Sequence, residues 1–175
     1  MSEDSDNIPI DYTYKVSNHL LDHLDIITGN KKNNIDECTI NKIKDEIILL
    51  DVDLKDVTTR QIKEILRKMH KLKYYNNIVY IWKEITNKDC IKISDEEKEN
   101  ILDIFMRFHK EYKKLYPRNS FFSYNFILQK ICFMLGYDNI AKEFPQLRSK
   151  DKTLVNEERW NNLCKSVEPN YSKLF

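Results

Sequence analysis

The chain has 175 residues, 33% of them charged, and a formal net charge of +1 at pH 7. This near-neutral balance excludes recruitment of nucleic acid by overall charge, so any such contact needs a local basic patch. Only 2 glycines and 4 prolines occur, which favours helices with short connections over a β-rich fold with many tight turns. The four cysteines are far apart in sequence and form no CxxC pair, which argues against a disulfide framework or a zinc-finger spacing.

The first half of the chain predicts a flexible tail followed by helices. Residues 1–11 are acidic, poor in apolar anchors and unlike a signal peptide, and we expect them to form the tail. The remaining residues, 12–175, are expected to form one helical domain. Apolar residues at helical spacing predict four helices, at residues 14–28, 36–50, 57–73 and 74–85. The second of these is expected to turn four residues inward: Ile40, Ile43, Ile47 and Leu50.

The second half begins with the clearest local signal in the chain. The run Ser94-Asp95-Glu96-Glu97 has the pattern of a capping box and predicts the start of a fifth helix, which Pro117 stops. Its apolar stripe comprises Ile101, Phe105, Phe108, Tyr112 and Leu115. A short helical turn is expected at residues 138–143 and a last helix at residues 156–167.

Residues 120–135 are the most apolar segment of the chain. Only five positions are polar, namely Ser120, Ser123, Asn125, Gln129 and Lys130. A helix that is apolar on nearly every side is covered by other helices, and this one is too short and interrupted to span a membrane. Gly136 suits the residue after its end. The sequence therefore predicts an all-α fold of about seven helices around a central hydrophobic helix at 120–135.

A basic stripe on the third helix is the main candidate binding site. Arg60, Lys63, Arg67 and Lys71 follow at i, i+3, i+7 and i+11, and apolar residues occupy the opposite face. DNA phosphates would neutralise these stacked cations, with counterion release driving the binding. A solvated helix face explains the same pattern equally well.

Further cations could extend this surface. A second basic cluster is expected in a loop before the last helix, and Arg118 precedes the central helix. The full set of candidate nucleic-acid-binding residues is Arg60, Lys63, Arg67, Lys71, Lys73, Arg118, Arg148, Lys150 and Lys152.

Other constellations favour structural interpretations. Tyr74 and Tyr75 could stack on bases, but packing into the core at a helix start is favoured. His19 and His23 have the i, i+4 spacing of metal ligands without an obvious third ligand. No GxSxG, P-loop or GxGxxG motif occurs, so we expect no catalytic residues and no enzymatic activity.

Four blocks of sequence, taken in order, resemble a known family. They are residues 14–20 (YKVSNHL), the basic run at 65–68 leading to the tyrosine pair at 74–75, residues 118–124 (RNSFFSY), and residues 144–150 (FPQLRSK) followed by Trp160. Together they resemble the helical domain of the poxvirus late transcription factor 3 family of large nucleocytoplasmic DNA viruses. The family commonly carries a cysteine-rich zinc module before this domain. The present sequence shows no such module, since its first cysteine is Cys38, and no cofactor is expected.

This resemblance implies a virus-encoded activator of late gene transcription. The implied partners are the viral RNA polymerase, other late transcription factors and promoter DNA. No contact with a membrane is expected. A zinc module followed by a helical domain invites comparison with transcription factor IIB, so a cyclin-like bundle is the fold hypothesis. The implied location is a viral factory in the host cytoplasm, with the nucleus as the alternative. Two rival classes remain open: a module that contacts only protein, and a helical enzyme.

Overall fold

A computed structural model describes residues 10–31, 35–146 and 149–167, with the backbone alone for residues 10–13. These residues contain eight α-helices and no strand, which confirms the expected all-α fold. The cyclin-like arrangement stays a prediction. The helices are α1 (Ile10–Ile27), α2 (Glu37–Leu49), α3 (Thr59–Lys68), α4 (Ile78–Thr86), α5 (Asp95–Leu115), α6 (Tyr124–Met134), α7 (Asp138–Ala141) and α8 (Lys150–Val167), with a 3₁₀ helix at Leu72–Asn77 before α4.

Two observations on the helices concern membrane spanning and the N-terminal tail. Among the described residues, none of the helices is both long and apolar enough to cross a membrane. Of the tail expected at residues 1–11, residues 1–9 lie outside the described part of the chain, whereas α1 already begins at Ile10. The backbone contacts divide the described residues into two compact units, one within residues 22–92 and one formed by the described residues before 22 and after 92. The single domain expected at 12–175 stays a prediction.

The unit of residues 22–92 has a hydrophobic core built by α2, α3 and α4. Fully buried isoleucines come from each helix, for example Ile43, Ile62 and Ile81. The prediction that Leu50 turns inward is wrong, because its side chain is 53% exposed. The helix ends at Leu49, and Asp51 adopts a left-handed φ of +57°, so the chain turns away before Leu50 can extend the buried face.

The third helix is shorter than the sequence predicts. It ends at Lys68 instead of residue 73 because His70 adopts a left-handed φ of +55°. The His70 N–H donates to the Arg67 carbonyl at 3.1 Å, and the Lys71 N–H donates to the Leu66 carbonyl at 2.8 Å. This pair of hydrogen bonds is a Schellman motif, which ends a helix. The basic stripe therefore ends at Arg67, and Lys71 lies beyond the helix.

In the other unit, α6 packs against α5 and α7 and is buried along most of its length. It begins at Tyr124 and not at residue 120, because Ser123 is its N-cap and accepts a hydrogen bond from the Phe126 N–H at 3.4 Å. Phe121 and Phe122 precede the helix. Their ring centroids lie 5.1 and 4.9 Å from that of Tyr112, so they extend the core before the helix starts.

In the same unit, α5 and α8 pack against each other through aromatic side chains. The rings of Phe108 and Trp160 stack with centroids 5.0 Å apart. Leu115, predicted on the apolar stripe of α5, is 41% exposed instead. The last helix begins at Lys150, six residues before the expected start, because the Ser149 carbonyl accepts hydrogen bonds from the Thr153 N–H and hydroxyl at 3.0 and 2.8 Å.

Candidate nucleic-acid interface

The exposed face of α3 carries the cations that the sequence predicted for it. A capping box between Thr58 and Gln61 starts the helix, and its buried face packs into the core of the 22–92 unit. Arg60, Lys63 and Arg67 all lie on the exposed side. Because residues three and four apart share a helix face, these three cations form one surface, which we call the α3 basic surface.

The three cations differ in the groups that they contact. Arg60 Nε lies 3.3 Å from Glu64 Oε1, but both side chains are exposed, at 88% and 56%, and such exposed pairs contribute only about 0–1 kcal/mol. Lys63 Nζ lies 5.5 Å from the centroid of the Tyr75 ring. Within the described residues, no ion pair engages Arg67. The surface therefore keeps positive charge that an anion could neutralise.

Lys71 and Lys73 lie beyond α3, near the residue that precedes α2. The pKa of Asp36, the N-cap of α2, is lowered mainly by the Thr39 hydroxyl and N–H, and further by the positive charges of Lys71 and Lys73. The predicted four-cation stripe is thus corrected: Arg60, Lys63 and Arg67 share one helix face, whereas Lys71 lies beyond the helix.

The tyrosine pair has a mainly structural role. Tyr74 is only 5% exposed, which confirms that it packs into the core, and Lys73 Nζ lies 4.8 Å from its ring centroid. Tyr75 is half-buried and packs against the same core. A buried ring offers no face to a base, so Tyr74 is excluded as a stacking platform.

The remaining candidate residues belong to the other unit. Arg118 is exposed in the turn between α5 and α6. Lys150 and Lys152 are exposed in the first turn of α8, not in a loop as predicted, with Asp151 between them. Arg148 lies outside the described residues. That these cations extend the α3 basic surface stays a prediction.

One feature beside α3 was not predicted from the sequence. An open groove of about 460 Å³ lies between α2 and α3, and Lys68 Nζ pairs with Glu46 Oε2 across it at 2.8 Å. Leu50 forms part of its lining. The available signal was the run of four apolar residues at 47–50, because a helix with one buried face cannot turn four consecutive side chains inward.

The thiols and histidines do not assemble a metal site in the part of the chain that the structure describes. No group of three His, Cys, Asp or Glu side chains there could hold a metal ion. Burial raises the pKa of the Cys132 thiol to about 12 and that of the Cys164 thiol to about 11. Both therefore remain protonated at neutral pH, whereas a metal ligand must be a thiolate. Cys38, in contrast, is exposed.

Comparison with known proteins gives a family and several viral relatives. The family described as "Poxvirus Late Transcription Factor VLTF3 like" matches residues 10–171. A protein of Acanthamoeba polyphaga mimivirus is 27% identical over 155 residues, which cover 87% of this chain and 36% of the relative. A protein of Paramecium bursaria Chlorella virus 1 is 28% identical over 159 residues, which cover 89% of this chain and 44% of the relative. Each is named a "Putative transcription factor".

A second mimivirus protein with the same kind of name is 27% identical over 134 residues, covering 75% of this chain and 52% of the relative. The chain thus spans between about a third and a half of the length of these relatives. No solved structure matches the chain.

Proposed function

The chain belongs to the Poxvirus Late Transcription Factor VLTF3 like family, and from this membership we propose that it activates late gene transcription in a large DNA virus. The description of the family and the names of the relatives indicate a viral transcription factor. We further propose that it acts with the viral RNA polymerase and other late factors at late promoters, in a viral factory of the host cytoplasm. Its role is to bind and position, without catalysis and without a bound cofactor.

The observation that carries the proposal of a DNA contact is the α3 basic surface. Three cations project from one face of a helix whose opposite face is anchored in a core. Arg67 has no ion pair within the described residues, and the partner of Arg60 is an exposed glutamate that gives little stabilisation. DNA phosphates would replace these weak partners and release counterions. Such contacts position a protein on DNA without specifying a base sequence.

The test is the affinity of the purified chain for a fluorescein-labelled duplex, measured by fluorescence anisotropy at low salt. The variant Lys63→Glu with Arg67→Glu reverses two charges that are both exposed on α3. Each lost phosphate contact weakens binding, and each introduced glutamate repels a phosphate, so we expect at least a roughly hundredfold loss of affinity.

The matched control reverses two exposed lysines elsewhere, Lys110→Glu with Lys165→Glu, which lie in α5 and α8. It changes the net charge by the same amount. If the two double variants lose affinity equally, the binding depends on overall charge and the assignment to α3 is refuted. Unchanged affinity in the α3 variant would refute it directly.

A protein-only contact is the second candidate function. The observation in its favour is the groove between α2 and α3, whose lining is both apolar and charged, as in many protein interfaces. Co-precipitation with the viral polymerase that survives high salt, together with an absence of DNA binding, would support this candidate. Loss of polymerase association in Lys63→Glu with Arg67→Glu, at unchanged DNA affinity, would place the polymerase on α3 instead of DNA.

A further inference from the structure

An arginine between α5 and α8 has aromatic and hydroxyl contacts in place of an acidic partner. Arg159 is half-buried on α8, and its Nη1 donates to the Tyr112 hydroxyl at 3.3 Å. Its guanidinium carbon lies 5.7 Å from the centroid of the Tyr116 ring. Within the described residues, no carboxylate pairs with it. A partly buried charge is costly unless an opposite charge accompanies it, so an anion bound to Arg159 would remove this cost.

The two tyrosines hold the guanidinium in place without a ligand. The Tyr116 hydroxyl accepts from Asn162 at 3.2 Å, and the Tyr112 hydroxyl donates to the Ser120 carbonyl at 2.9 Å, so both rings are restrained. The five N–H donors of an arginine form a rigid fork that matches an oxyanion. In the part of the chain that the structure describes, one hydrogen bond engages this fork. Arg159 is therefore preorganised to bind an oxyanion.

The neighbouring acid of α5 does not supply that oxyanion. Glu111 faces α8, but its Oε1 already accepts from the Ser166 hydroxyl at 2.6 Å and its Oε2 lies 3.7 Å from Lys114 Nζ. Arg118 is exposed in the turn after α5, and no ion pair among the described residues engages it. Positive charge on Arg159 and Arg118 thus stays available to a ligand.

The surroundings of Arg159 favour a protein carboxylate over a nucleic-acid backbone. Val155 precedes Arg159 by four positions and Leu115 follows Tyr112 by three, so each lies on the side of its helix that carries these contacts. Their side chains are 46% and 41% exposed. Arginine, tyrosine and apolar side chains together are typical of the centre of a protein interface. Exposed Glu158 lies about 100° round α8 from Arg159, where it would repel a continuous row of phosphates.

We propose that Arg159 binds an aspartate or glutamate side chain of a partner protein. The carboxylate would accept from two N–H groups of the guanidinium, which is the strong, bidentate form of this pair. Apolar residues next to the acid in the partner would cover Val155 and Leu115. The site belongs to a different compact unit from α3, and the proposal holds whether or not α3 binds DNA.

The experiment is selection of phage-displayed random 12-residue peptides on the full chain, after depletion on Arg159→Gln. Glutamine keeps an N–H donor for Tyr112 and removes the charge. Selected peptides should share an Asp or Glu with apolar residues beside it. A synthetic copy should bind Arg159→Gln at least about tenfold more weakly than the unchanged chain, because a charged hydrogen-bonded pair is lost. Its counterpart with Asn or Gln in place of the acid should bind both chains equally weakly.

A second variant tests the site without altering Arg159. In Val155→Glu the new carboxylate stands four residues before Arg159 and can pair with it, so it should block the site and weaken peptide binding at least about tenfold. The matched control is Leu154→Glu, which adds the same charge about 100° round the helix at a position that is 69% exposed. This control should bind the peptide as the unchanged chain does, and circular dichroism can verify that all variants fold.

Several outcomes would overturn the proposal. They are equal peptide binding by the unchanged chain and Val155→Glu, selected peptides without an acidic residue, and a selection that yields no binder. Loss of affinity for duplex DNA in Arg159→Gln but not in Lys165→Gln would identify phosphates as the ligand and also overturn it. Sedimentation that shows a dimer dissociated by Val155→Glu would identify a second copy of this chain as the occupant instead of a partner protein.

Discussion

Removal of one buried hydroxyl tests how the segment before α6 is anchored. Tyr112 is fully buried, and its hydroxyl donates to the Ser120 carbonyl at 2.9 Å and accepts from Arg159 Nη1 at 3.3 Å. The substitution Tyr112→Phe keeps the ring and removes both hydrogen bonds. We therefore expect it to lower the free energy of unfolding without leaving a large cavity.

The magnitude follows from the two bonds. A typical intramolecular hydrogen bond contributes about 1 kcal/mol net, and loss of a partner costs more when the remaining group stays buried. Ser120 is exposed, so its carbonyl can bind water after the change, and the bond from Arg159 is long. We expect a loss of roughly 1–2 kcal/mol in total, which lowers the melting temperature by about 2–8 °C for a chain of this size.

Thermal melting followed by circular dichroism measures this loss. The control is Tyr116→Phe, which removes a hydroxyl that accepts an exposed hydrogen bond from Asn162 at 3.2 Å. It should lower the melting temperature by no more than about a third as much as Tyr112→Phe, since an exposed bond is replaced by water. Equal shifts in the two variants would refute the idea that the Tyr112 hydroxyl anchors the segment.

Three further predictions use the glycines, the buried histidine and the thiols. In urea unfolding, Gly29→Ala should destabilise the chain by about 2 kcal/mol and Gly136→Ala by only about 1 kcal/mol. Both glycines have a positive φ, but an added methyl group meets side-chain atoms at 3.3 and 3.4 Å at Gly29 and nothing within 4 Å at Gly136. Equal losses of stability would contradict this. Burial and a nearby lysine lower the pKa of His109 below its usual 6.5. The unfolded chain therefore binds a proton more readily, and stability should fall as pH drops below about 6.5. His109→Phe should reduce that fall, and an unchanged pH dependence of the melting temperature would exclude this cause. Iodoacetamide should modify exposed Cys38 in the native chain and spare Cys132 until urea unfolds it, and mass spectrometry that finds both modified at similar rates would contradict the burial.

The parts of the fold that could be predicted from sequence depend on local hydrogen bonding. The capping box at Ser94 starts α5 where the sequence predicts it, and Gly136 ends α6 with a left-handed φ of +77°. Serine at an N-cap and glycine after a helix end are strong local signals, because each satisfies backbone groups that the helix leaves open.

The parts that could not be predicted depend on weak signals or on packing. His70 ends α3 in the left-handed conformation, which few histidines adopt, so the apolar and basic periodicity suggested a helix that continued to Lys73. The exposure of Leu49 and Leu50 depends on where the chain turns after α2. In the candidate site, Arg60, Lys63 and Arg67 share one face of α3, whereas Lys71 and Lys73 lie beyond the helix. The groove beside α3 was not predicted.

The salt dependence of DNA binding tests the central claim about the α3 basic surface most directly. If Arg60, Lys63 and Arg67 each neutralise one phosphate, the logarithm of the binding constant should fall with the logarithm of salt concentration with a slope of about −2.7. In Lys63→Glu with Arg67→Glu the slope should be no steeper than about −0.9, since at most one of the three contacts remains. A slope near zero for the unchanged chain, or the same steep slope in this variant, would contradict the account.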